Sequence, residues 1–344
     1  MKPVRFSRSG GIARLLLFLV GLPLGCAESP LEAVPGPSIS PSVDEPDLRS
    51  MVPAEANLVL SVEMAALRKS PWSKDAFLEA LGERDGLAVA EQGFVKEVDR
   101  LVFAMVPTFG DGASLLIAQG RFSRTTLLGI FQNQDVQEIR SRYRGMEILE
   151  RGDQALVIQA NHLVLAGPTM VVRAAIDCSQ GQARSLDGTG WLESLQKGLA
   201  LGPEEKAGKE VASLFVHLPD TTRKQLIDEI GEGETLEEVG IRLDLGESLV
   251  LRALGRTRSP QEAQDLAARL AQYVRDSQAR PIVAAFGLGS VLSEIRFLVK
   301  AEAMLATLRV SSTDREFIAR RMAVVSKTIA SIRADKKSQE KQHP

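Results

Sequence analysis

The sequence predicts an α+β fold made of two tandem copies of a strand-helix-strand-strand-helix-strand unit with antiparallel-rich sheets. Three observations lead there. Short apolar runs of strand type are bounded by Gly, Asp and Asn turns. Helix-period segments open at Ser or Thr caps at matching places in the two halves. The string Ser114-Leu115-Leu116-Ile117-Ala118-Gln119-Gly120-Arg121 parallels Ser248-Leu249-Val250-Leu251-Arg252-Ala253-Leu254-Gly255-Arg256 with one residue inserted.

Composition fits that class. The 344 residues are 44% hydrophobic and 25% charged, as in an ordinary globular protein, and the length allows two units that each bury a core. Lys plus Arg is 42 against 44 Asp plus Glu, so there is no basic excess for nucleic acid to meet.

The first unit spans residues 51–200. Asn57 to Val62 reads as a strand, followed by a helix-like stretch broken at Ser70-Pro71 and continued by Phe77, Leu78 and Leu81. Val98 to Val106 and Ala113 to Gln119 are strands joined by the hairpin signal Gly110-Asp111-Gly112. Ser123 caps a helix carrying Leu127, Leu128, Ile130 and Phe131. Met146 to Leu149, Ala155 to Gln159 and His162 to Ala166 are short strands, with turns at Gly152-Asp153 and Asn161. Gly167-Pro168 then opens another helix, since Pro suits a first helical position.

The second unit spans 210–333 and repeats the order. Ala212 to Leu218 is the strand and Thr221 to Ile230 the helix. Val239 to Leu245 and Ser248 to Leu254 form a hairpin about Gly246-Glu247. Ser259-Pro260-Gln261-Glu262 is a capping box opening a helix with Ala263, Leu266, Ala267, Leu270 and Val274 on one face. Phe297 to Lys300 and Met304 to Val310 are closing strands. Thr313 with Glu316 reads as a second capping box, before Ile318, Met322, Val325, Ile329 and Ile332. Between the units, Leu199 to Glu210 has two glycines, a proline and five charges, and reads as a linker. Residues 334–344 read as a solvated, disordered tail.

The N-terminus is an address. Met1 to Arg14 carries Lys2, Arg5, Arg8 and Arg14 without an acid, and Ile12 to Gly25 adds an apolar stretch centred on Leu15 to Val20. After the last cation the stretch is short of the ~20 residues that span a bilayer as a helix. It ends in Leu22-Pro23-Leu24-Gly25-Cys26, which resembles the lipobox of bacterial lipoproteins, although Pro23 stands where Leu is usual. The resemblance implies a signal peptide over 1–25, cleavage between Gly25 and Cys26, and diacylglycerol on Cys26. Ala27 and Glu28 lack the Asp that retains such lipoproteins in the inner membrane, so the resemblance further implies outer-membrane anchoring, with the body facing the periplasm. Residues 26–50 read as a tether, since Pro30, Pro35, Pro37, Pro41 and Pro46 favour extended, solvated backbone. The body opens with Val52-Pro53-Ala54-Glu55-Ala56-Asn57, a run similar to that of certain secreted bacterial lipoproteins. With Cys26 acylated, Cys178 has no partner for an intrachain disulfide, and its helical setting marks it as a small apolar residue.

Catalytic and metal signatures are absent from the sequence. His162, His217 and His343 are too dispersed to propose a metal site, and no cofactor is expected. There is no Gly-x-Ser-x-Gly elbow and no His-Glu-x-x-His, and Gly287-Leu288-Gly289 lacks the third glycine of a dinucleotide loop. Glu204-Glu205, Glu232, Glu234 and Glu237-Glu238 read as solvated surface, and Trp72 and Trp191 as packing at helix starts. Pro281 to Ser293 carries no charge and reads as a buried connector or, alternatively, as an apolar lip for lipid.

The expected function is therefore a non-catalytic, lipid-anchored envelope protein that binds or scaffolds another envelope protein. The alternatives are a carrier of lipid or another apolar ligand, and a hydrolase with a dispersed site using His162 or His217.

Overall fold

The computed structural model describes residues 47–72, 97–110, 112–125, 127–128, 139–160, 162–200, 208–219, 236–280, 283 and 289–316. The expected signal peptide with Gly25 and Cys26, nearly all of the expected tether, the expected helix over Thr221 to Ile230 and the expected tail lie outside them.

Among the described residues, twelve strands form one antiparallel sheet. They are β1 (Leu58–Val62), β2 (Val98–Met105), β3 (Ser114–Gly120), β4 (Ile139–Tyr143), β5 (Met146–Arg151) and β6 (Gln154–Gln159), then β7 (Leu163–Pro168), β8 (Lys209–His217), β9 (Leu236–Leu245), β10 (Leu249–Thr257), β11 (Arg296–Lys300) and β12 (Ala303–Val310). Their order is β11-β12-β10-β9-β8-β1-β2-β3-β7-β6-β5-β4. The fold is thus mixed α and β with a large antiparallel sheet. The two halves of the chain share that sheet through β1 and β8, which pair with Leu60 opposite Leu214 and Ser61 opposite Ser213.

Alternation along the strands produces two apolar faces. One carries Val59, Val102, Leu115, Ile117, Leu165 and Phe215 beneath α2 (Thr169–Ser179) and α3 (Gly190–Leu199). Val171, Val172, Ala175 and Ile176 of α2 and Leu192, Leu195 and Leu199 of α3 fall at helical spacing and are buried there. On the opposite face lie Leu58, Leu60, Phe103, Leu214, Val216 and Ile241. That side also receives the short helix α1 (Met64–Lys69), the long helix α4 (Pro260–Gln278) and α5 (Gly289–Ser293). Leu266 of α4 reaches the open backbone at Gly255 of β10.

The structure revises several boundaries. Asp47 to Ser50 belongs to the body: a 3-10 turn over Leu48–Met51 buries Leu48 and Met51 against α2. Apolar Leu48, four residues after Asp44, is what ends the tether. Leu199 is the buried last residue of α3, and Lys209-Glu210 already pairs in β8, so both ends of the expected linker belong to elements, while residues 201–207 lie outside the described residues. A strand missing from the sequence reading, β4, forms the outer edge, because its Arg-Ser-Arg-Tyr run has no apolar alternation to betray it. Ser259 does cap α4, accepting from Glu262 N at 3.3 Å, while Glu262 Oε2 accepts from Arg258 N at 2.9 Å. The later box sits two residues earlier than expected. Ser311 and Asp314 exchange the capping bonds, with Asp314 N donating to Ser311 Oγ at 3.1 Å and Ser311 N to Asp314 Oδ2 at 3.2 Å.

Candidate functional site

Where the two halves meet, strands β1, β2 and β8 and the turn at Asp47 enclose a cleft of about 360 Å³. Three carboxylates and three cations line it: Asp47, Glu63 and Glu210 against Arg49, Arg100 and Lys209. Arg49 grips Asp47 with Nη2 at 2.9 Å from Oδ2 and Nε at 3.2 Å, a two-pronged geometry that orients both groups. Arg100 donates through Nε to Glu63 at 2.8 Å and lies 4.0 Å from Asp47. Ser61 and Ser213 face each other across β1 and β8, and neither buried hydroxyl meets a hydrogen-bond partner among the described residues.

Charge sets the titration here. Burial pushes the Asp47 carboxyl up, but the Arg49 hydrogen bonds and charge outweigh it and hold the group below the usual carboxylate range. Asp187 moves the other way, raised first by burial and then by the negative charge of Asp47, with Arg49 opposing.

A second network continues from the cleft into the core. Arg242 Nη1 lies 3.1 Å from Glu210, and its Nε donates to Asp244 at 2.9 Å. Asp244 is 0% exposed, and the buried Arg252 donates to it from β10 while also donating to the carbonyl of Leu199. Arg252 therefore neutralises a buried acid and satisfies an orphan carbonyl at the C-terminal end of α3, where a cation also suits the helix dipole. The cleft offers matched donors and acceptors with no excess charge. Such a lining suits polar contact with another molecule rather than a strongly charged ligand.

None of these charged residues stood out in the sequence. The available signal was one interruption: Arg252 breaks the apolar run Leu249 to Leu254, whereas Arg242 and Asp244 occupy the polar places of a regular alternation with Val239, Ile241, Leu243 and Leu245 and so look like solvent-facing residues.

The residues that sequence did single out are scattered. His162 is in an exposed turn, its Nδ1 3.1 Å from the carbonyl of Ala160. His217 ends β8, with its ring 5.7 Å from that of Trp191 and Nδ1 3.7 Å from Glu238. Glu238 is also 3.4 Å from Arg256, which donates to Ser194 at 2.6 Å. That cluster joins a Ser, a His and a Glu, but the serine is bound to arginine rather than to the imidazole, so it lacks the nucleophile-to-base contact of a triad. Glu237 and Glu238 lie in β9 instead of a solvated turn; Glu238 is largely buried and ion-paired, which corrects the surface reading. Trp191 lies in the first turn of α3 as expected; Trp72 follows α1, donating to the carbonyl of Gly246 at 3.3 Å with Arg315 5.5 Å over its ring, and the stretch expected to start at it lies outside the described residues.

Cys178 is buried, donates to the carbonyl of Arg184 at 3.3 Å, and has its thiol pushed up to about 11 by burial and the nearby Glu55 and Asp177, so it is unreactive near neutrality. Of Pro281 to Ser293, the described part is residue 283 and α5, whose residues are not buried. His343, Glu204-Glu205, Glu232 and Glu234 lie outside the described residues. Among the described residues, no group of three His, Cys, Asp or Glu side chains is placed to hold a metal ion, and no helix is long and apolar enough to cross a membrane.

No protein family and no curated protein matches this chain. Among solved structures it is similar to TP0453 in three crystal forms. Form III aligns with a TM-score of 0.47 and 11% identity over 80% of this chain and 98% of that one. Form I gives 0.44 and 11% over 80% and 97%, and form IV 0.44 and 12% over 79% and 95%.

Proposed function

We propose that this is a non-catalytic lipoprotein of the cell envelope, acylated at Cys26, anchored in the outer membrane facing the periplasm, and built to bind or scaffold another envelope protein. The observation that carries the reading is the order at the start of the chain: four cations, an apolar stretch, then Leu22-Pro23-Leu24-Gly25-Cys26. The body's geometry suits that role. The chain reaches the body at Asp47, on the rim of a charge-balanced cleft, so a partner held there sits beside the point of attachment. Cys26→Ser tests the anchor: the variant is expected to remain unprocessed or to become soluble, with no lipid label incorporated. Detergent partitioning equal to that of the natural protein defeats the reading.

The body is further read as an internal duplication. Supporting it, β1-β2-β3-β7-β6 on one side of the β1–β8 junction is matched by β8-β9-β10-β12-β11 on the other. The ladders relate Leu60 to Leu214, Phe103 to Ile241, Leu116 to Ala253 and Ala166 to Ala306, each pair on the same face. The sequence similarity that aligns Gly120 with Gly255 is displaced from this by two residues. At that end a two-residue slip keeps each side chain on its face; at the Ser114–Ser248 end the displacement is three residues and the face reverses, so the strand ladders rather than the sequence parallel support the duplication.

A further inference from the structure

The outer edge of β11 has an arrangement that the cleft does not use. β11 pairs with β12 alone among the described strands, so its other side ends the sheet. Lys300 lies opposite Ala303 across the two-residue turn Ala301-Glu302, with Ala301 at φ 50°. In such a turn the flanking pair is hydrogen-bonded. The backbone groups of Lys300, Leu298 and Arg296 therefore point at β12, and those of Phe297 and Val299 point away from the sheet.

Side chains alternate in the same strand. Arg296, Leu298 and Lys300 stand on one face and are all exposed, Leu298 at 62%. Neither Arg296 nor Lys300 makes an ion pair with a described residue. An exposed edge with an apolar residue between two cations that have no ionic partner among the described residues is an acceptor for one kind of strand.

We propose that this edge docks an extended segment of a partner protein that carries two acidic residues four positions apart with an apolar residue midway. The inference rests on the binding role proposed above and supplies its chemistry. Backbone addition would satisfy the outward groups of Phe297 and Val299. Cations four residues apart in a strand are separated by ~13 Å, which acids at i and i+4 of another strand match. The same acids on a helix lie only ~6 Å apart and cannot reach both.

A second copy of this chain is the wrong occupant. Antiparallel pairing of β11 on itself about Leu298 sets Arg296 against Lys300, and pairing with the opposite edge, β4, brings in Arg140 and Arg142. Like charges directly opposite destabilise a strand pair. The edge thus repels its own kind and admits an acidic strand.

The test uses the full chain and the blocked heptapeptide Thr-Glu-Thr-Val-Thr-Glu-Thr, titrated at low salt. Saturable binding that weakens with salt is expected, with at least tenfold loss in Val299→Pro, which removes an outward N–H while leaving both cations. R296E/K300E keeps the backbone intact; it is expected to lose the acidic peptide at least tenfold and to gain its lysine counterpart. No binding, or binding that survives Val299→Pro in a protein with unchanged circular dichroism, overturns the proposal. So does a concentration-dependent dimer that the same proline abolishes, which assigns the edge to a second copy. If an envelope partner is captured equally by natural protein and by both variants, the scaffold role stands and the edge proposal fails. If the peptide results hold and no partner is captured from envelopes, the scaffold role fails and the edge remains a strand-binding site.

Discussion

Asp47 and Asp187 both feel the charge of Arg49 yet respond to pH in opposite senses. The folded state lowers the pKa of Asp47, so its contribution to stability is present above the unfolded value and is lost as pH falls through the folded one. Asp187 is raised, so its contribution is present below the unfolded value and disappears as pH rises through the folded one. Asp47→Asn is therefore expected to lower Tm at pH 7, with the difference closing as pH falls through the depressed folded-state value. Asp187→Asn is expected to raise Tm at pH 7 and to change nothing once the natural carboxyl is protonated. Calorimetry across that range reads both; shifts of the same sign for the two variants at pH 7 contradict the assignment. Deeper in the core, Asp244→Ala leaves Arg252 charged, buried and without its carboxylate. Removing one partner of a buried pair costs about 3–5 kcal/mol, which urea unfolding resolves easily. A loss below about 1 kcal/mol would mean that Arg252 finds other solvation.

Helix α4 shows how an element can be written locally. Ser259 supplies the cap, Pro260 the first helical residue, and Glu262 closes the box onto Arg258 N. Ser259→Ala is expected to destabilise the protein by about 1 kcal/mol, and Ser259→Asp to restore most of it, by thermal unfolding. Elements of this kind were legible: β2 and β3, β9 and β10, α2 and α4 stand close to where turn residues and apolar periodicity put them. Others depended on distant partners. β4 exists because β5 offers it a ladder; Ser141 interrupts the face shared by Ile139 and Tyr143, and Arg140 and Arg142 take the other. The turn over Leu48–Met51 forms because α2 receives Leu48, a contact 120 or more residues away along the chain, so proline content alone extended the tether too far. The charged cleft was illegible for the same reason. Asp47, Arg100 and Glu210 come from separate strands and loops, and spacing along the chain carries no record of their meeting.

At the scale of the whole molecule, reading each half as having its own core meets a specific obstacle. The apolar cluster that contains Val59, Val102 and Leu115 also contains Leu195, Leu199, Phe215 and Leu254. Helix α3 ends the first half in sequence but packs on β8, β9 and β10 of the second, and Arg252 of β10 holds its last carbonyl. Cutting the chain between residues 200 and 208 therefore separates α3 from the strands it covers. It also leaves β1 and β8 as new unpaired edges in the middle of the sheet, each with apolar side chains on both faces. Such edges invite aggregation, because long unpaired backbone with apolar flanks templates further strands. Urea unfolding of the intact chain is expected to follow one transition, coincident by circular dichroism and Trp191 fluorescence, with the large m-value of a single unit of this size. Fragments 26–200 and 201–344 are expected to be insoluble or unfolded when expressed apart, and to recover structure only when mixed. Two resolved transitions, or a first-half fragment with a cooperative melt of its own, would show that sharing the sheet is a contact between two finished domains rather than the condition for either to fold.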